Sequence, residues 1–74
     1  MDNQHQHIKG YRDLTENEVA SMNAAKAEGE RLGALIAGLR STPGADQRWV
    51  SIAETHLQQG IMAAVRAIAK PTTF

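Results

Sequence analysis

The sequence predicts an all-α protein: a long antiparallel helical hairpin with a short N-terminal segment, assembling as a helical homo-oligomer. Three observations carry this. Apolar and small residues recur at spacings of three and four over two stretches of roughly 24 residues each, the repeat of a helix with one buried side. The one clear internal break, Ser41-Thr42-Pro43-Gly44, falls between those stretches. The chain has only 74 residues and no cysteine. A monomer of that size buries just roughly 60–65% of its unfolded surface. Neither disulfides nor cysteine-bound zinc can make up the deficit, which leaves oligomerisation.

Residues 1–9 are polar and read as a flexible N-terminal tail; residues 10–74 read as one hairpin domain for oligomerisation and ligand binding. A short segment, Gly10-Tyr11-Arg12-Asp13-Leu14, leads in. Thr15-Glu16-Asn17-Glu18 then forms a capping box, with Thr15 accepting from the Glu18 amide and Glu18 reaching back to the Thr15 amide. Leu14 and Val19 supply the matching hydrophobic staple. Glu16 and Glu18 suit the positive end of the helix.

The first helix runs from about Glu16 to about Arg40. Its apolar side carries Val19, Met22, Ala25, Gly29, Leu32, Ile36 and Leu39, with a heptad rhythm from Met22 onward. Arg40 suits the negative helix end. The second helix starts either from Ser41 or Thr42 as cap, with Pro43 in its first turn, or from Asp46 as cap; the sequence leaves both open. It reaches Ala69 or Lys70 and stops before Pro71. Its apolar side is read as Trp49, Ile52, Ala53, Leu57, Gly60, Ile61, Ala64 and Ile68.

Two helices of this length, at 1.5 Å per residue, extend roughly 36 Å. They enclose one seam, and Met22, Leu35, Trp49, Met62 and Val65 cannot all find cover there. Other subunits are expected to supply the missing surface. Small residues point the same way: Ala25, Gly29, Gly33 and Ala37 repeat every four positions, and Gly60, Ala64 and Ala67 do something similar in the second helix. A mid-helix glycine costs about 1 kcal/mol relative to alanine. Two compatible readings account for accepting that cost: close helix crossing, or room for a ligand between subunits.

Charge and hydropathy remove several function classes. Eight basic residues balance eight acidic ones, which argues against a binder of DNA or RNA polymers but not against a small anionic ligand. The longest uncharged stretch, Thr55 to Val65, is too short and too polar to span a bilayer. Met1 to His7 lacks the basic and apolar regions of a signal peptide, so the expected location is cytoplasmic.

A few side chains can carry function. Tyr11, outside the capped helix, can stack on a planar ligand or fold back over the hairpin end. Lys26 edges the apolar side one turn before Gly29; it is either a snorkelling lysine or an ammonium held for a phosphate, with Arg12 assisting from the same end. Arg66 reads as a cross-subunit ion pair or a second anion site, and Arg48 can contribute to either. His56 reads as an interface histidine. His5 and His7 form a weak metal signal with no third ligand at useful spacing. No nucleophile–base set, shared carboxylate pair or phosphate loop is readable, so neither enzyme chemistry nor a cofactor is expected.

The run Gly10-Tyr11-Arg12-Asp13-Leu14-Thr15, the Lys26 region, and Arg48-Trp49 through Thr55-His56-Leu57-Gln58-Gln59-Gly60 to Arg66 and Pro71 resemble the phage anti-CBASS sponges. Those proteins sequester cyclic nucleotides and share a hairpin domain with sponges that act against Thoeris immunity. The resemblance covers roughly residues 8 to 74. It implies a non-catalytic, all-helical homohexamer in the cytoplasm of an infected bacterium. Such a protein holds cyclic dinucleotides, cyclic GMP-AMP types among them, between subunits and keeps the host effector off. It further implies that Tyr11 stacks on a base, that Lys26 binds phosphate, and that Arg66, with Arg12 as a further candidate, serves a separate cyclic trinucleotide site. A rival reading of the same residues is a self-assembling helical adaptor that binds or inhibits a host protein and has no nucleotide affinity.

Overall fold

A computed structural model describes residues 13–72 of the chain. Two helices fill it: α1, Glu16–Arg40, and α2, Gln47–Ala69, packed against each other as a hairpin with no strand among the described residues. The expected tail 1–9, the lead residues Gly10, Tyr11 and Arg12, and Phe74 lie outside the described residues.

The capping box sets the start of α1. Thr15 accepts from the Glu18 backbone N–H at 3.1 Å, and the Glu18 carboxylate accepts from the Thr15 N–H at 2.9 Å. Two backbone donors that the first turn cannot use internally are thereby satisfied. The expected α1 boundaries coincide with the observed ones. At the C-terminal end, Ser41 N–H donates to Ala37 and Gly38 carbonyls, and Thr42 Oγ1 donates to the Gly38 carbonyl at 2.7 Å.

The choice left open for the second helix resolves to Asp46. Its carboxylate accepts from the N–H groups of Arg48 at 3.0 Å and Trp49 at 3.3 Å. Pro43 instead occupies the turn, beside Gly44 at φ +84°. That left-handed conformation is one L side chains avoid, so it ends the linker rather than opening a helix. Lys70 closes α2 in the left-handed region, φ 46°, its N–H donating to the Arg66 carbonyl at 2.8 Å; Pro71 follows and cannot continue the helix.

The α1 seam follows the expected register, with Met22, Ala25, Gly29, Leu32, Ile36 and Leu39 half-buried or better. Val19 departs from it and is exposed, while Glu18 takes the inward place. On α2 the register is rotated from the expectation. Val50 is buried and Trp49 is 60% exposed. The reason is angular. Val50, Leu57, Ile61 and Ile68 fall on one meridian at about 100° per residue, and Trp49 sits roughly 100° away from it. Gly60 and Ala64, also expected on the apolar side, are exposed. Only Ile36 and Val50, each 5% exposed, are buried among the described residues. At about 1.5–3 kcal/mol per buried aliphatic side chain, that is a thin core.

Polar contacts fix the loop end. The Arg40 guanidinium donates to Ser51 Oγ at 3.1 Å and Glu54 Oε1 at 2.9 Å, and more loosely to Gln47 Oε1 at 3.5 Å. Gln47 Nε2 in turn donates to the carbonyls of Leu39 and Ala45, both at 3.3 Å. At the open end, Lys70 Nζ lies 3.6 Å from the Glu18 carboxylate that also closes the capping box.

Candidate functional site

Helical spacing places Lys26 on the flank of α1, roughly 90° around from the seam and almost in line with Gly33, seven residues on. Its side chain is exposed and forms no ion pair with a described residue. The other paired cations of the hairpin are engaged: Arg31 with Glu28 at 3.5 Å, Arg40 with Glu54 at 2.9 Å, Lys70 with Glu18 at 3.6 Å. An ammonium without a carboxylate keeps its full charge for an incoming anion.

Beside the Lys26 flank runs a groove of about 460 Å³ between the helices. Leu32, Ile36, Leu57 and Ile61 line it with Gly29 and Gly33. Gln58 and Met62 lie along its α2 side, and Glu54 bounds it toward the loop. The glycines have room to spare. A methyl group on Gly29 would sit 3.7 Å from Ile61 Cγ2, an ordinary contact. At Gly33, Gly38 and Gly60 it would meet nothing within 4 Å. Close crossing inside the hairpin is therefore not what these glycines serve.

Arg66 lies in the last turn of α2 and is exposed. It sits roughly 160° around α2 from the seam. Counted from the Gly29–Ile61 contact, Lys26 and Arg66 stand about 4.5 and 7.5 Å along the axis toward the open end. They share a level but diverge in direction, so one chain does not bring them onto one ligand. Tyr11 and Arg12 lie outside the described residues.

Arg48 and His56 line a shallow depression with Ser51, Ile52 and Thr55 on the outer side of α2. The Arg48 guanidinium sits 5.6 Å from the centroid of the exposed Trp49 ring. Among the described residues no cluster of three or more His, Asp or Glu side chains could hold a metal ion, and no helix is long and apolar enough to cross a membrane; His5 and His7 lie outside those residues.

Two features escaped the sequence reading. Arg40 was legible only as a charge suited to a helix end, whereas it ties α1 to three side chains of α2. Counting back from the loop would have set Arg40 against Ser51 and Glu54. The open space at Gly33 has no sequence signal, because a glycine's neighbours cannot be read from its spacing.

A family model described as Acb2/Tad1, hairpin domain, matches residues 3–69. A protein of Pseudomonas phage JBD67 named Anti-CBASS protein 2 is 35% identical over 105 aligned positions, which span 96% of this chain and 97% of that protein. Those matches run the length of both helices, and the chain belongs to the Acb2/Tad1 hairpin domain family.

Proposed function

We propose that this protein blocks CBASS immunity by sequestering its cyclic nucleotide messengers without cleaving them. The observation that carries the reading is the near full-length similarity to Anti-CBASS protein 2. The geometry is compatible with it: Lys26 is an exposed ammonium with no carboxylate partner among the described residues. It is suited to a phosphate that arrives from solution.

In this proposal the domain spans residues 10–74 and acts as a homo-oligomer, a hexamer by the family resemblance, in the cytoplasm of the infected bacterium. A cyclic dinucleotide such as cyclic GMP-AMP has two phosphates and two bases. Two copies of Lys26 and Tyr11 from paired subunits match that near-twofold ligand, the ammonium groups on phosphate and the rings on bases. Arg66, with Arg12, is assigned to a separate cyclic trinucleotide site; its divergence from Lys26 favours two sites over one. No turnover is needed, because a tight binder in excess lowers the free messenger by mass action.

The experiment is sequestration and recovery. Protein is incubated with cyclic GMP-AMP, the free ligand is assayed with a messenger-activated CBASS effector, and the complex is then heat-denatured. The expected result is an effector that stays off and an intact cyclic dinucleotide released on heating. A linearised product would make the protein an enzyme. An active effector and no bound ligand would turn the reading to a host-protein adaptor, which the exposed Leu35, Trp49 and Met62 side chains would then serve.

A further inference from the structure

We propose that Glu18 and Lys70 form a clasp that sets the direction in which the N-terminal segment, with Tyr11, enters the hairpin, and through it the affinity for ligand. The part that concerns affinity rests on the reading of Tyr11 and Lys26 above.

Three observations lead to the clasp. First, Lys70 stands at φ 46° and ψ 60°, in the left-handed region. A side chain is crowded by the backbone there, and glycine is the ordinary occupant of such a helix end. Lys70 is the one non-glycine residue at positive φ among the described residues. A side chain kept where glycine would be easier points to a use for that side chain. Second, the group that glycine would lack has a partner: Lys70 Nζ lies 3.6 Å from Glu18 Oε2. Third, the Glu18 side chain is turned inward and only 17% exposed. Its other oxygen, Oε1, accepts from the Thr15 N–H at 2.9 Å. One carboxylate thus joins the residue that ends α2 to the residue through which the chain enters α1. The consequence is geometric. Tyr11 precedes Thr15 by four residues, which extend at most about 14 Å. On so short a tether, the direction of the chain at Thr15 decides where the ring can go. Glu18 holds the Thr15 N–H, and Lys70 holds Glu18.

The test compares calorimetry with cyclic GMP-AMP and thermal unfolding without ligand, all in the full chain. Lys70→Gly adopts the left-handed backbone freely, so relief of crowding offsets the lost ion pair. Its melting temperature should stay within a few degrees of wild type, while losing the ordered lead should weaken binding about 3–10-fold. Lys70→Arg restores the cation and should bind as wild type does. Glu18→Gln keeps the capping box, which accepts Gln as well as Glu, and removes only the charge facing Lys70. It should weaken binding by a similar factor, and the double variant Glu18→Gln/Lys70→Gly should weaken it no further, because both changes break one contact. Tighter binding by Glu18→Gln would overturn the proposal, making Lys70 itself a phosphate ligand that Glu18 restrains. Unchanged affinity in Lys70→Gly would overturn it too, as would affinity and melting temperature falling together. Nuclear magnetic resonance gives a readout that needs no ligand: the amide order parameters of Asp13, Leu14 and Thr15 should fall in Lys70→Gly while those of residues 20–40 hold. Values unchanged at 13–15 would overturn the clasp. A wild-type chain that binds no cyclic nucleotide, with that fall observed in the variant, would uphold the clasp and remove the sequestration reading; ligand binding without the fall would do the reverse.

Discussion

The two ends of the hairpin are built differently. At the loop end, one chain completes its own structure. Ile36 and Val50 are buried, Arg40 links α1 to Ser51 and Glu54, Gln47 reaches back to the carbonyls of Leu39 in α1 and Ala45 in the loop, and Asp46 caps α2. Toward the open end, one chain leaves things unfinished. Met22, Val65 and Ile68 are only half-buried, Met62 is exposed, and Lys26 stands without an ionic partner among the described residues. Stability contributed by the single chain is concentrated near the loop, and the residues expected to work lie where that stability is thinnest. Perturbing the first region should move folding and the second should move binding.

The largest effect is expected from Ile36→Ala. Removing a buried aliphatic side chain next to the loop should cost about 2–4 kcal/mol, read as a lower denaturant midpoint at fixed protein concentration. A loss under ~0.5 kcal/mol would mean that the loop end is not where the chain holds itself together. Next comes Lys26→Ala. It should leave helix content and melting temperature unchanged and weaken cyclic dinucleotide binding at least ~10-fold, about 1.4 kcal/mol, by calorimetry. Unchanged affinity would end Lys26's assignment; a lower melting temperature would erase the contrast between the ends.

Arg40→Met keeps the apolar stem and removes the polar contacts. Because the Arg40–Glu54 pair is partly exposed, the expected cost is about 1 kcal/mol, measured by thermal unfolding, with ligand affinity unaffected. The smallest change is a gain: Gly38→Ala, at a site with nothing within 4 Å of the added methyl, should stabilise the hairpin by about 0.5–1 kcal/mol. A destabilised variant would show that Gly38 is also covered by another copy.

Local chemistry made much of this fold legible in advance. The Thr15–Glu18 capping box fixed the start of α1 because both halves of the exchange lie within four residues. Pro71 marked the end of α2 in the same way. The start of α2 was not legible, since Pro43 and Asp46 are both acceptable openings and only the turn through Gly44 decides between them. Trp49, read on the apolar side of α2 but among the side chains that one seam cannot cover, is exposed because its helical phase places it outside the seam that Val50 shares with Leu57. For the site, the Lys26 position followed from spacing. Its lack of a carboxylate partner did not, because Glu30 stands at i+4, the spacing at which helical ion pairs form, and yet makes no ion pair with it. The assignments to Tyr11 and Arg12 come from the family resemblance and remain proposals for residues outside the described chain.

Native mass spectrometry with a panel of cyclic di- and trinucleotides, cyclic GMP-AMP included, tests the central claim most directly, since one spectrum reports both assembly mass and ligand number. A homo-oligomer is expected to carry a whole number of intact cyclic dinucleotides smaller than its number of subunits, as sites shared between subunits require. An oligomer that takes up no cyclic nucleotide from the panel would contradict it.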